Sequence, residues 1–278
     1  MRDATLQGLA VGFFDGVHLG HQEILKGASA ALTFRNHPLS VLAPEKAPRL
    51  IMSAEERVAA IKACGIEDVA VPDFTPELAA MPAEEFARRY LQGKKVLCGE
   101  NWRFGKGGEG SAEWLRAHGV EVEVVPYAEY KGERISSSRI RACLERGEIE
   151  DANAMMGRKF KVPGLMFEGK GLGRELGYPT INLKPQALNL ELPLGVYEVE
   201  VEGQKAIANY GFAPTMGDRV WKVPVLEVHL LNSSPSTFDF ASKSTTVDFV
   251  SLIRPEKKFD SVQDLQRQIA ADCATIAP

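Results

Sequence analysis

The apolar run Leu9-Phe14 leads into Gly12-Phe13-Phe14-Asp15-Gly16-Val17-His18-Leu19-Gly20-His21, and that order of residues leaves few folds open. An apolar run, then glycines at Gly16 and Gly20, predicts a strand, a tight turn and the first turn of a helix. His18 and His21 are three residues apart and therefore share a helix face. Their place is the end of the helix where unpaired backbone amides and the positive end of the dipole lie. Such a place suits a polyphosphate. No third ligand follows at metal-site spacing, which points to nucleotide chemistry rather than a metal centre. Alone, a pair of histidines at this spacing more often packs or caps than binds a ligand, and the surrounding Phe14-Asp15-Gly16 and Gly20 make the match more specific.

The chain on either side of this segment alternates in type. Ser53 with Glu56 three residues later forms a capping box that opens an amphipathic stretch to about Cys64. Glu67-Val71 reads as a short strand, Pro82 begins a helix through Phe86 and Leu91, and Lys95-Cys98 is a further strand. Trp114-Ala117 is helical and Val120-Val125 alternates as a strand. Short strands separated by helices predict a Rossmann-like α/β domain, a parallel sheet covered on both faces. Ligands of such sheets bind beyond the carboxyl ends of the strands. From Phe160 the pattern becomes one of strands: Phe160-Met166, Gly195-Glu202, Lys205-Asn209, Val223-Leu231 and Thr245-Leu252. These predict a small antiparallel β-barrel followed by one terminal helix, capped by Ser261, with Leu265 and Ile269 on its inner face. The expected domains are 1–152 and 153–278.

Several classes are excluded by composition. The chain has 278 residues, of which 45% are hydrophobic and 25% charged, the make-up of an ordinary globular protein. A net charge of -4 argues against broad nucleic-acid binding, so any anionic ligand must be held by local groups. No apolar run is long enough to span a bilayer and the N-terminus has no secretory core, so no membrane partner is expected and a cytoplasmic location is. Cys64, Cys98, Cys143 and Cys273 form no C-x-x-C pair and read as reduced, packed thiols. Oligomeric state is left open.

Two further segments carry chemistry in the first half. Gly99-Glu100-Asn101-Trp102-Arg103-Phe104-Gly105-Lys106-Gly107 is either a glycine-rich surface loop or a loop that lets backbone approach a ligand, with Asn101 offering its amide. In Arg134-Ile135-Ser136-Ser137-Ser138-Arg139-Ile140-Arg141, Ser136 or Ser137 caps a helix through Leu144, and serines with arginines at a helix start also form a phosphate cradle.

Together with Phe14-His21, these segments resemble the nucleotidyltransferase module of the bacterial bifunctional riboflavin kinase/FAD synthetase (FMN adenylyltransferase) family. The second half is similar to that family's riboflavin kinase module in Gly169-Lys170-Gly171-Leu172-Gly173-Arg174-Glu175-Leu176-Gly177-Tyr178-Pro179-Thr180-Ile181-Asn182-Leu183, in Leu192-Tyr197, in Leu226-Leu230 and in Arg254-Ser261. The resemblance implies two reactions, phosphorylation of riboflavin to FMN by ATP and adenylylation of FMN to FAD with release of pyrophosphate. It implies that Phe14, Asp15, Gly16, Gly20, Asn101, Arg134, Ser136 and Ser137 serve ATP in the first module, where His18 and His21 stabilise charge on the α-phosphate.

In the kinase module it implies ATP contacts by Gly169, Gly171, Gly173, Arg174 and Thr180, with Glu227 as the base for the riboflavin 5′-hydroxyl. Glycines let a loop fold over phosphates. Thr180 and Asn182 are two apart, so on an extended segment both oxygens face one side, and hard oxygen donors suit Mg²⁺ shared with ATP. Alternation puts Leu226, Val228 and Leu230 on one strand face and Glu227 and His229 on the other. One departure stands out: Thr33-Phe34-Arg35-Asn36-His37-Pro38 replaces the family's usual Thr-Phe-Asp-Pro-His-Pro, and the stretch between His21 and Thr33 is short. It leaves an alternative open, a riboflavin kinase whose first domain is weakened or regulatory.

Overall fold

The structure is a computed structural model that describes residues 8–169, 172–186, 190–212, 224–231 and 243–276. Two compact units divide between Arg139 and Ile140. The first is built on strands β1 (Gly8–Val11), β2 (Ala30–Leu32), β3 (Asp68–Ala70), β4 (Lys95–Gly99) and β5 (Val122–Val125), in the order β3-β2-β1-β4-β5. Every pairing in it is parallel.

Alternation sorts the strand side chains into two cores, as a sheet covered on both faces requires. Leu9, Val11, Leu32, Val96 and Cys98 pack with Phe86, Leu91 and Leu115. Ala10, Ala31 and Leu97 pack with Ile24, Leu25 and Ile61. The helices Leu19–Lys26 and Ala54–Ala63 thus cover one face, and Ala83–Phe86, Ala112–Ala117 and the π-helical turn Ala87–Leu91 the other. The Ser53 hydroxyl accepts from the Glu56 amide, and the Glu56 carboxylate accepts from the Ser53 amide, closing the expected capping box. Strand order reverses between β1 and β4, so a crevice opens beyond their carboxyl ends. Both the Gly12-His21 and the Gly99-Gly107 segments emerge at that edge. A short hairpin of β6 (Glu129–Tyr130) and β7 (Glu133–Arg134) precedes the helix Ser137–Arg146.

The second unit is a closed barrel of β8 (Phe160–Phe167), β9 (Ile181–Pro185), β10 (Gly195–Val201), β11 (Gln204–Gly211), β12 (Val225–Leu230) and β13 (Ser244–Pro255). Its order is β10-β11-β12-β9-β8-β13, antiparallel throughout. Buried alternate residues fill it, among them Val162, Leu183, Val199, Val228 and Phe249. The helix Val262–Ile276 lies on the outside, where Ile276 packs against Val196 and Ile207. Ser261 caps it by accepting from the Asp264 amide at 3.1 Å.

Among the elements that escape the sequence pattern are the β6-β7 hairpin, the short helices Leu39–Leu42 and Pro76–Ala79, and the helix Ile149–Met156. That helix buries Ile149, Ala152, Met155 and Met156 and packs on β8 and β13. The expected boundary between 152 and 153 falls inside it. Asn153 fixes it to the barrel, donating Nδ2 to the Phe249 carbonyl at 2.8 Å and accepting from the Phe160 amide at 2.7 Å. Loss of a half-buried amide that bonds two backbone groups removes both bonds. We expect Asn153→Ala to cost about 1–3 kcal/mol, read by urea denaturation, with no change of fold.

Candidate functional sites

The first site forms where β1 ends. Phe14, Gly16 and Val17 all have positive φ, at 57°, 79° and 37°. Only glycine adopts this region without cost, and for a β-branched valine it is a strained outlier, the kind of backbone found at ligand-clamping turns. Side-chain anchors hold the turn. The Asp15 carboxylate, 3% exposed, accepts from the Ile51 amide at 3.1 Å and from the Met52 amide at 3.3 Å. The Ser137 hydroxyl donates to the Asp15 carbonyl at 2.8 Å, and the buried Thr33 hydroxyl donates to the Phe13 carbonyl at 2.9 Å. The side chain of Asp15 therefore helps to hold the loop. Phe14 is likewise in the core, 1% exposed, with its ring edge against His21 at 5.3 Å.

His18 is the N-cap of the helix Leu19–Lys26 and is 6% exposed. Its Nδ1 accepts from the His21 amide at 3.3 Å, so in the neutral ring the proton sits on Nε2, the donor form. The His18 and His21 rings stack with centroids 3.5 Å apart. Gly20 faces the His18 ring, which a Cβ there would meet at 3.4 Å. Ser136 caps the helix Ser137–Arg146 by accepting from the Arg139 amide at 3.2 Å. Two helix N-termini thus meet at one turn, an arrangement that presents amides to an anion.

Arg134 is exposed, its guanidinium lying over the Tyr127 ring at 3.2 Å. Arg139, to which no role was given in the sequence, binds the hairpin below it through the carbonyls of Tyr130 and Glu133, at 3.0 and 2.9 Å. In the Gly99-Gly107 loop Asn101 is exposed. A Cβ on Gly105 would lie 2.7 Å from the Ala83 Cα, so this glycine serves a close approach to the protein's own helix.

The altered Arg35-Asn36 pair has defined partners. The Asn36 amide oxygen accepts from the Phe74 amide at 2.9 Å while its Nδ2 donates to the Phe74 carbonyl at 3.0 Å. Arg35 lies between Glu55 at 3.4 Å and Asp73 at 3.2 Å. The segment after β2 is therefore held in place, and His37 keeps its contact with Phe13, ring centroids 4.7 Å apart.

The second site is a cavity of about 320 Å³ on the outer wall of the barrel. Leu226, Val228 and Leu230 point into the barrel and Glu227 and His229 into this cavity, as the alternation predicts. Strand register aligns Asn209 on β11, Glu227 on β12 and Asn182 on β9 in one row. Thr180 joins them in the cavity wall, with Gly169 and Gly173 opposite. A Cβ on Gly169 would lie 2.3 Å from the Asn182 Nδ2, and one on Gly173 would lie 2.4 Å from the Tyr178 carbonyl oxygen. These glycines let the loop close on the Thr180-Asn182 segment. Gly171 lies outside the described residues, as does the Phe238-Phe240 segment; Arg174 is exposed and is not part of the described cavity wall. Asn209 was missed in the sequence, because only strand pairing reveals it.

The other end of the cavity is apolar, with Val196, Ile207, Leu265 and Ile269, and carries one buried ion pair, Arg254 with Asp272 at 2.8 Å. No group of three or more His, Cys, Asp or Glu side chains that could cage a metal occurs among the described residues. Thr180 and Asn182 supply two neutral oxygens, a donor set that fits Mg²⁺ carried in with a nucleotide better than a resident ion.

Comparison with known proteins finds a match for each half of the chain. A family model described as FAD synthetase matches residues 2–139, and one described as riboflavin kinase matches residues 156–277. The chain belongs to the bifunctional riboflavin kinase/FMN adenylyltransferase family. The relative of that name from Bacillus subtilis is 32% identical over 95% of this chain and 89% of its own length. That from Escherichia coli K12 is 31% identical over 95% of this chain and 90% of its own. A solved structure named Macrolide-efflux Protein, from Streptococcus pneumoniae, superposes with a TM-score of 0.85 at 28% identity, covering 98% of this chain and 94% of the other. No helix among the described residues here is long and apolar enough to cross a membrane.

For this family Glu227 is the residue whose environment carries most consequence. Burial raises its carboxyl above the ordinary glutamate range. Since the folded state then holds the proton more tightly than the unfolded one, stability falls as pH climbs from the unfolded-state value through the folded one. Glu227→Gln removes that loss. We expect the variant to melt above the wild type at about pH 8, the difference closing toward about pH 4, in thermal unfolding followed by circular dichroism.

Proposed function

We propose that this chain phosphorylates riboflavin at the barrel cavity and adenylylates the resulting FMN at the carboxyl edge of the parallel sheet. The single observation that carries the kinase half is the Asn209-Glu227-Asn182 row with Thr180 beside it, one half-buried carboxylate among neutral side chains. Glu227 accepts the proton of the riboflavin 5′-hydroxyl as that oxygen bonds to the γ-phosphorus. The bond from the γ-phosphorus to the bridging oxygen breaks and ADP leaves. A raised proton affinity suits a base that must take a proton from an alcohol. The apolar end of the cavity, Val196, Ile207, Leu265 and Ile269, accommodates the flavin ring.

Mg²⁺ bound with ATP neutralises charge that builds on the phosphates. Thr180 and Asn182 would hold it, and they orient the nucleotide toward Glu227. Catalysis on this scheme is mostly positioning and charge compensation.

At the first site an FMN phosphate oxygen attacks the α-phosphorus of ATP and pyrophosphate departs. His18 and His21 donate to the α-phosphate oxygens, and the amides of the two helix starts, with Ser136, Ser137 and Arg134, hold the leaving phosphates. Asn101 and the Gly16-Gly20 turn complete the nucleotide side. Asp15 and Phe14 act by keeping the turn in its strained form. Cys64, Cys98, Cys143 and Cys273 form no disulfide, and burial pushes the Cys98 and Cys143 thiols up to about 11, which supports inert packed groups in the cytoplasm.

The helix Ile149–Met156 packs on the barrel and is assigned with the kinase half. The alternative of a weakened first domain rested on Arg35-Asn36 and the short first helix. The Asn36-Phe74 and Arg35-Asp73 contacts supply a structural replacement for the usual pair, and they favour two working sites.

Substitution separates the two reactions. We expect Glu227→Ala to lower FMN formation by roughly 100-fold or more and to leave FMN-to-FAD conversion within about twofold of wild type, with His18→Ala giving the reverse pattern. Flavin chromatography of each reaction measures both. Full kinase activity in Glu227→Ala contradicts the assignment of the base. With EDTA in excess over the divalent cation, FMN formation is expected to stop and to return when Mg²⁺ is added back.

A further inference from the structure

His229 lies two residues beyond Glu227 on the same face of β12, in the cavity wall, and the scheme above gives it no task. The ladder between β12 and β9 pairs Leu226 with Leu183, Glu227 with Asn182 and Val228 with Ile181, and ends there. Thr180 and Pro179 therefore lie past the last rung, and backbone pairing with β12 does not fix them. Pro179 has no N–H with which to extend the ladder. At that point the His229 Nδ1 stands 2.9 Å from the Pro179 carbonyl oxygen. A carbonyl only accepts, so Nδ1 carries the hydrogen and Nε2 is the acceptor of the neutral ring.

Two further contacts hold the same segment. The Tyr178 ring meets the His229 ring edge-on, centroids 5.3 Å apart. The Tyr178 amide donates to the Gly173 carbonyl at 2.7 Å, and a Cβ on Gly173 would come within 3.2 Å of the Thr180 Oγ1. The chain entering Thr180 is thus fixed by the glycine loop on one side and by a single imidazole on the other.

We propose that His229 is a positioning residue of the kinase site: its Nδ1–H···O=C bond to Pro179 replaces the missing rung of the ladder and holds the Thr180 and Asn182 oxygens in the cavity wall beside Glu227, where they would bind nucleotide-bound Mg²⁺. It touches no reacting atom in this role. The inference rests on the kinase reading of Thr180, Asn182 and Glu227, and its test contains readouts independent of that reading.

In the full-length protein, nitrogen-15 NMR is expected to show His229 as the neutral Nδ1–H tautomer. His229→Ala is expected to shift the backbone amide signals of Thr180 and Asn182. It should also raise the Mg²⁺ concentration for half-maximal FMN formation by about tenfold, with KM for riboflavin within about twofold, as loss of an outer partner of a metal ligand does. His229→Asn places an amide N–H where Nδ1 was. It should return the Thr180 and Asn182 signals and recover most of the Mg²⁺ response, whereas His229→Gln, which mimics Nε2, should not. An Nε2–H tautomer, unmoved Thr180 and Asn182 signals in His229→Ala, or equal defects in the Asn and Gln variants each overturn the proposal. If His229→Ala does not fold, the wild-type tautomer and the contrast between Asn and Gln decide. If the wild type makes no FMN at all, the kinase reading fails, while the tautomer and the amide signals still show whether His229 holds the segment.

Discussion

The Asp15 carboxylate brings together parts of the chain that lie far apart in sequence. It takes amide hydrogens from Ile51 and Met52, ahead of the Ser53 cap, while the backbone carbonyl of Asp15 receives the Ser137 hydroxyl. A carboxylate this buried is stable only when its oxygens are bonded, so the Ile51-Met52 segment must meet the turn for the charge to be tolerated, while the Ser137 bond anchors the backbone of the same residue. These bonds anchor the turn between β1 and the first helix, whose residues Phe14, Gly16 and Val17 have positive φ, and His18 follows it at the helix start with the second helix start beside it. The anion site is a consequence of how that buried charge is satisfied. In a chain of net charge -4, locally held amides and a few cationic side chains must attract phosphate, because the overall field does not.

The barrel solves a different problem. Its interior is filled, so chemistry has to be placed on its outer wall, and the terminal helix turns that wall into a cavity. Glu227 is desolvated there, with Asn182 and Asn209 as its neighbours across the strands and Arg254 already paired with Asp272. Burial is what raises its proton affinity. The same arrangement that makes it a usable base also makes the protein less stable at neutral pH, a cost often found at working carboxylates.

Local signals were readable from sequence where they are local in physics. The Ser53-Glu56 box, the Ser261 cap and the alternation around Glu227 each depend on a few neighbouring residues and were found in place. Longer-range facts were not readable. Nothing around Asp15 tells that its carboxylate is taken up by Ile51 and Met52 rather than facing a ligand. Asn209 gains meaning only from its register opposite Glu227, and Arg139 only from the hairpin that it grips. The helix Ile149–Met156 did carry a signal, apolar residues at Ile149, Ala152, Met155 and Met156, but it is short and stands next to the change from helices to strands. The Arg35-Asn36 departure looked like a weakness in one dimension; the two-way bond between Asn36 and Phe74 gives it a structural role.

The central claim is that one chain carries riboflavin through FMN to FAD at two separate sites. A time course with the wild-type protein, riboflavin, ATP and Mg²⁺, with the flavins resolved by chromatography, tests it most directly. FMN is expected to appear first and FAD to follow at the expense of FMN, with pyrophosphate released in step with FAD. FMN that accumulates without any FAD, or riboflavin that stays bound and unchanged, contradicts the claim.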